Sequence, residues 1–171
     1  MSSIGIKDYV KEEGNVKLKV VRGKKVLKTI EVNNTATQDL YFGIAMVLLK
    51  RTYDSTVNYS PRYLGLGKGT TSEDIFTNTD LEESLSMDRV PIRDDSSIKR
   101  EESYVSVTFQ GIVPYSSVND QDIYEIGLFG TETGSTLLAR VQLPEVLNLE
   151  LGTSLVVEWT MYLKNANKGR Y

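Results

Sequence analysis

The chain has 171 residues, of which 40% are hydrophobic and 25% charged, with a formal net charge of −3. It contains neither Cys nor His, which rules out disulfides and thiolate metal sites and removes the commonest general base and transition-metal ligand. The mild acidity gives no global attraction to nucleic acid or to an anionic membrane, and no uninterrupted apolar segment is long enough to span a bilayer.

The start, Met1 to Gly5, shows no basic region followed by an apolar run, so no signal peptide is expected. Val16, Leu18 and Val20 alternate with Lys17 and Lys19, and Val26, Ile30 and Val32 continue the pattern past a turn at Arg22-Gly23. This predicts a β-hairpin with one apolar face. The hairpin is basic: residues 1–28 hold eight Lys or Arg against three Asp or Glu. Lysines such as Lys17, Lys19, Lys24 and Lys25 either guard an edge strand or form a docking surface for an acidic partner.

Asn33 to Thr37 breaks the alternation, and Thr35 or Thr37 can cap a helix with Asp39 in its first turn. Leu40, Ile44, Val47 and Leu48 recur at helical spacing, and Lys50 and Arg51 close the last turn. The expectation is one α-helix over residues 36–51, whose apolar middle packs on a sheet or on another subunit. A Gly-x-Gly-x-Gly run follows in Tyr63-Leu64-Gly65-Leu66-Gly67-Lys68-Gly69. It matches neither a phosphate loop nor a dinucleotide fingerprint, because polar, acidic residues follow it where an apolar helix would have to begin. The glycines instead predict a strand whose backbone lies close to a neighbour.

Residues 73–102 hold ten Asp or Glu against four Lys or Arg. They read as a solvated acidic segment anchored by Leu81, Leu85 and Met87, with no calcium-loop spacing. Pro91 limits Val90 and Ile92 to an edge strand. From Tyr104 the chain is β: Val105, Val107 and Phe109 on one face to a stop at Gly111 and Pro114, a turn at Val118 to Asp122, a strand Ile123 to Phe129, and its partner Leu137 to Leu143, ended by Pro144. After a turn over Leu149 to Ser154, Leu155, Val157, Trp159, Met161 and Leu163 give the strongest alternation in the chain. Trp159 is expected in the core with a partner for its indole N–H.

No Ser sits in a nucleophile elbow. The strand carboxylates Glu125 and Glu158 read as outward-facing members of cross-strand ion pairs, Glu125 with Arg140. No enzyme, cofactor or metal site is expected. A carboxylate-only hydrolase at Glu125 ranks last.

Several stretches in order resemble a family of small β-rich structural proteins of tailed bacteriophages and prophages. They are the Asn34 to Leu49 segment, Tyr63 to Thr71, Asp80-Leu81-Glu82-Glu83, Arg89, Ile123 to Phe129, Leu137 to Arg140, and Trp159-Thr160. The family includes tail-fibre, baseplate and head-attached components. The resemblance implies a virion component, assembled in the host cytoplasm, whose partners are other virion proteins and copies of itself. It implies no catalytic residues.

The expected architecture is a mainly β, antiparallel β-sandwich, jelly-roll-like, in a single domain over residues 1–171. That domain comprises a basic hairpin (1–33), a helix plus sandwich (34–163) and a tail (164–171). Candidate subunit contacts are Lys17, Lys19, Lys24, Lys25, Glu125, Arg140, Arg170 and Tyr171. Such a tail frays when free, so a partner chain is expected to hold it. The rival role is a carbohydrate-binding receptor module of a phage fibre, prompted by the tyrosines between Tyr53 and Tyr63.

Overall fold

A computed structural model describes residues 10–48, 59–71, 77–93, 97–102 and 104–165. Their architecture is mainly β: nine antiparallel strands form one sheet curled into a half-barrel, with two helices among the described residues. The sandwich expected from the strand pattern is thus, at this level, a single continuous sheet.

The predicted hairpin forms from β1 (Val10–Arg22) and β2 (Lys25–Ala36), turning at Gly23, whose φ of 59° suits a residue without a Cβ. Of its two strands, only β1 is flanked by strands along its length; among the described residues β2 meets a second strand only at Thr35 and Ala36. β1 pairs with β2 on one side and along its whole length with β9 (Ser154–Asn165) on the other. The order across the sheet is β4-β3-β7-β8-β2-β1-β9-β6-β5. Edge-guarding therefore does not explain Lys17 and Lys19 on β1, whereas Lys25 lies on a stretch of β2 with no second strand beside it among the described residues. Val16, Leu18, Val20 and Ile30 are buried as predicted. Val26 is half exposed, because a register shift between Val20 and Val21 sets it opposite Val21 and off the apolar face.

β2 joins the two halves of the sheet. Its last residues, Thr35 and Ala36, pair with Arg140 and Ala139 of β8 (Leu137–Leu147). Thr37 then donates its backbone N–H to Leu138 and its hydroxyl to the Leu137 carbonyl, and α1 (Gln38–Leu48) begins. Leu40 is buried, whereas Tyr41 and Phe42 are exposed at about two-fifths, so the helix middle is only partly covered. The predicted continuation through Lys50 and Arg51 lies outside the described residues, as do Arg170 and Tyr171.

β3 (Tyr63–Gly67) runs between β7 (Ile123–Phe129) and the two-residue edge strand β4 (Val90–Pro91), which bears out the limit set by Pro91. The other edge is β5 (Ser97–Arg100), paired with β6 (Tyr104–Pro114). β6 passes through Gly111, which had been expected to end it, and stops at Pro114. A short helix, α2 (Tyr115–Val118), follows, and Asn119 and Asp120 make the turn at positive φ. β8 likewise continues past Pro144. The stretch from Gln142 to Leu147 faces only Ile123 to Glu125 on β7, so Pro144 lies in a bulge where no ladder N–H is required.

The core draws on strands from both halves of the sheet. Leu155, Val157 and Trp159 of β9 meet Val16 and Leu18 of β1, Leu64 and Leu66 of β3, and Ile126 and Leu128 of β7 in one cluster. Trp159 is wholly buried as expected, but its indole N–H takes no partner among the described residues. Its flanking residues across the sheet, Val16 and Phe109, offer it no side-chain acceptor.

Candidate functional site

Four separate stretches meet at the Glu125 carboxylate. β7 carries Glu125 where it pairs with Gly67 of β3 on one side and Gln142 of β8 on the other. The side chain lies flat across β3, and only glycine leaves it room. A Cβ on Gly67 or on Gly69 would overlap the carboxylate, and one on Gly67 would also stand 2.7 Å from the Glu83 carbonyl. The same spacing puts Gly65 beneath the Phe129 ring, where a Cβ would sit 2.7 Å from a ring carbon. The glycines at alternate positions thus strip one face of β3 bare for two side chains of β7.

The carboxylate is saturated with donors. Oε1 accepts the backbone N–H of Gly69 (3.0 Å) and of Glu83 (2.9 Å), and Oε2 accepts that of Glu82 (3.3 Å). Arg140 Nε lies 2.6 Å from Oε2, off the line of its N–H, so charge more than an aligned hydrogen bond holds that contact. Both partners are buried, Glu125 at 0% and Arg140 at 1% exposure. Arg140 Nη2 reaches the Thr71 carbonyl (3.2 Å), Gln142 Oε1 (3.2 Å) and Glu82 Oε2 (3.4 Å). Gln142 Nε2 donates to the carbonyls of Gly69 and Tyr124, both at 2.9 Å. Glu82 also accepts the Thr71 N–H (2.9 Å). That bond, helped by the Arg140 charge, holds the Glu82 carboxyl below the usual carboxylate range.

The expected Glu125–Arg140 ion pair is therefore present, but the outward orientation is not. Glu125 lies inside the fold because the bare glycine face admits it, and neither residue presents surface to a neighbouring subunit. Glu158, in contrast, is outward as expected and is held by Lys19 at 2.8 Å and by Gln110 at 3.3 Å. Lys17 pairs with Glu31 at 2.6 Å across the hairpin, and this carboxylate raises the Lys17 ammonium above its ordinary range. Lys24 and Lys25 stand exposed at the hairpin turn. Beside them Arg22 reaches Glu150 (2.8 Å), and Lys28 reaches Glu145 (3.0 Å).

Sequence reasoning missed the part played by Gln142 and the convergence of Gly69, Glu82 and Glu83 on one carboxylate. The signal available was the period-2 glycine spacing, which marks a strand face cleared for something large.

Next to this cluster opens a polar pocket of about 640 Å³, walled by Thr71, Asn78, Thr79, Asp80, Glu82 and Arg140. Asp80 is fixed by Arg89 at 3.2 Å, and the Arg89 guanidinium lies 3.5 Å from the centre of the Phe129 ring. Among the described residues no three acidic side chains gather as a cation site would need, and no helix is long and apolar enough to cross a membrane. No family model matches the chain, and no curated protein matches it.

Proposed function

We propose that the chain is a structural component of a tailed-bacteriophage virion, assembling through subunit contacts on the tail or baseplate, the neck or the capsid surface. One observation carries this reading. Four of the motifs behind the resemblance are the glycine run, Asp80 to Glu83, the strand at Glu125 and the first residues of β8 to Arg140. They are far apart in sequence, yet they meet in one buried cluster. Such a series is what a shared scaffold would preserve, and every polar group of Glu125 in it is spent on holding backbone in place. The proposed role is accordingly non-catalytic.

We also read the curled sheet as working like a sandwich. Gly111 of β6 faces Leu64 of β3 so closely that a Cβ would overlap it, and Arg93 N–H bonds the Gln110 carbonyl at 2.7 Å, tying the β4 end onto β6. The basic hairpin turn is the surface we assign to subunit contact, because Lys24 and Lys25 project there beside the exposed side chains of Val26 and Leu27. Sedimentation velocity of the purified chain, alone and with tailed-phage virion proteins, tests the assignment. Self-association or co-sedimentation that Lys24→Glu/Lys25→Glu weakens is expected; a chain that stays monomeric and binds no virion protein overturns it.

A further inference from the structure

We propose that the hairpin turn of one copy docks into the pocket beside Leu85 and Met87 of a second copy, joining subunits head to tail. The inference rests on the assembly reading and names the surface that receives the turn.

The pocket lies between β3, the segment over residues 81–89 and the loop that enters β8, and holds about 210 Å³. Small-molecule sites run roughly 300–1,000 Å³, so this space suits one inserted side chain better than a free ligand. Buried Leu66, Leu81 and Leu85, with Met87, make it apolar inside, and Asp88 and Glu132 stand at its rim. Both rim carboxylates are exposed, and neither takes an ion pair among the described residues. Arg89 in the same wall is already held by Asp80 at 3.2 Å. An acidic rim over an apolar interior selects a visitor that is cationic and aliphatic.

The hairpin turn has that character. Lys24 and Lys25 are exposed and take no ion pair among the described residues. The neighbouring Lys17, Lys19, Arg22 and Lys28 are all paired. Val26 and Leu27 are exposed at 50% and 43%. Lys25 and Leu27 share a face of β2 because alternate residues of a strand point the same way. Leu27 can therefore enter the pocket while Lys25 reaches its rim.

A second copy has to supply the turn. Glu132 and Thr133 lie just ahead of β8, whereas Lys28 bonds Glu145 close to the far end of that strand. Turn and pocket thus sit at opposite ends of β8, roughly 30 Å apart for a strand of its length. That is too far for one chain to fill its own pocket. A contact between unlike surfaces leaves a free turn and a free pocket on every pair, so copies add into a ring or a filament.

The test is sedimentation velocity of the full chain, of the turn variant Lys24→Glu/Lys25→Glu, of the pocket variant Asp88→Lys/Glu132→Lys, and of an equimolar mixture of the two variants. The native chain should self-associate. Each variant alone should do so about 10-fold more weakly, since like charges then face each other. Mixing should restore association, because each turn again meets a pocket of opposite charge, and a misfolded variant could not be rescued in this way. A mixture as weak as either variant overturns the proposal. So does a pocket variant that associates like the native chain while the turn variant does not, which would keep the turn as a contact but seat it elsewhere. A native chain that stays monomeric yet co-sediments with a virion protein overturns the proposal and leaves the assembly reading standing; one that does neither overturns both.

Discussion

Replacing Glu125 by Gln keeps the shape of the side chain but removes the charge opposite Arg140. It also turns one acceptor oxygen into a donor that faces the Glu82 N–H and the guanidinium. The cost is that of an uncompensated buried charge, about 3–5 kcal/mol, to be measured as a lower urea midpoint at unchanged m-value. Gly67→Ala should cost about 1–3 kcal/mol by the same assay, because the new methyl cannot share the space with Glu125 and the Glu83 carbonyl. Glu82 makes a pH prediction. Its carboxyl titrates lower in the folded chain than in the unfolded one, so the stability it lends is fully present above the ordinary glutamate value, about 4.3. That stability is lost as the pH falls through the lowered folded value. Below neutrality, the stability difference between the native chain and Glu82→Gln should narrow on acidification. A difference that stays constant down to the acid transition would contradict the assignment. At this scale the sequence pointed to the Glu125–Arg140 pair through cross-strand reasoning. It hid the burial, because no local pattern tells a strand carboxylate over glycines from one facing water.

β7 and β9 were legible almost residue by residue, since apolar alternation bounded by turns leaves one register. The interruptions were less so. Gly111 and Pro144 are ordinarily strand breakers, yet β6 runs through the first and β8 bulges around the second. α2 spans too little chain to show a period at all. The hairpin was found correctly, but β1 is an inner strand and not an edge, since composition reports that a strand is basic and not which strands flank it. Its central position leads to a prediction. A chain lacking residues 1–33 should lose its cooperative unfolding transition, because β9 would keep only β6 as a neighbour and one flank of Trp159 would be uncovered. A truncated chain that unfolds cooperatively, by circular dichroism during a urea titration, would show the hairpin to be an accessory.

Across the whole molecule, the half-barrel depends on a narrow join. Only Thr35 and Ala36 of β2 pair with β8, and this joins the run β4-β3-β7-β8 to the run β1-β9-β6-β5. The sequence marks that join only as the break in alternation from Asn33 to Thr37, which reads as the approach to a helix and not as a change of partner from β1 to β8. Thr37 reinforces it through its two bonds to β8. Thr37→Val should therefore destabilise the fold by about 1–3 kcal/mol, as expected for a buried acceptor left unsatisfied. Hydrogen exchange should quicken first at the amides of Thr37 and Leu138, with those of β9 unaffected.

The Glu125 cluster also sets an order of events in time. Its carboxylate cannot shed water until the glycine run, the segment at Glu82 and Glu83, and Arg140 have all arrived. These partners are separated from Glu125 by up to 56 residues, so the charge is desolvated only after most of the chain has closed into loops. Local hairpins can form early, but this cluster belongs to the final step. Folding should accordingly be slow, on the millisecond-to-second scale of non-local β-topologies. Glu125→Gln should accelerate unfolding far more than it slows folding.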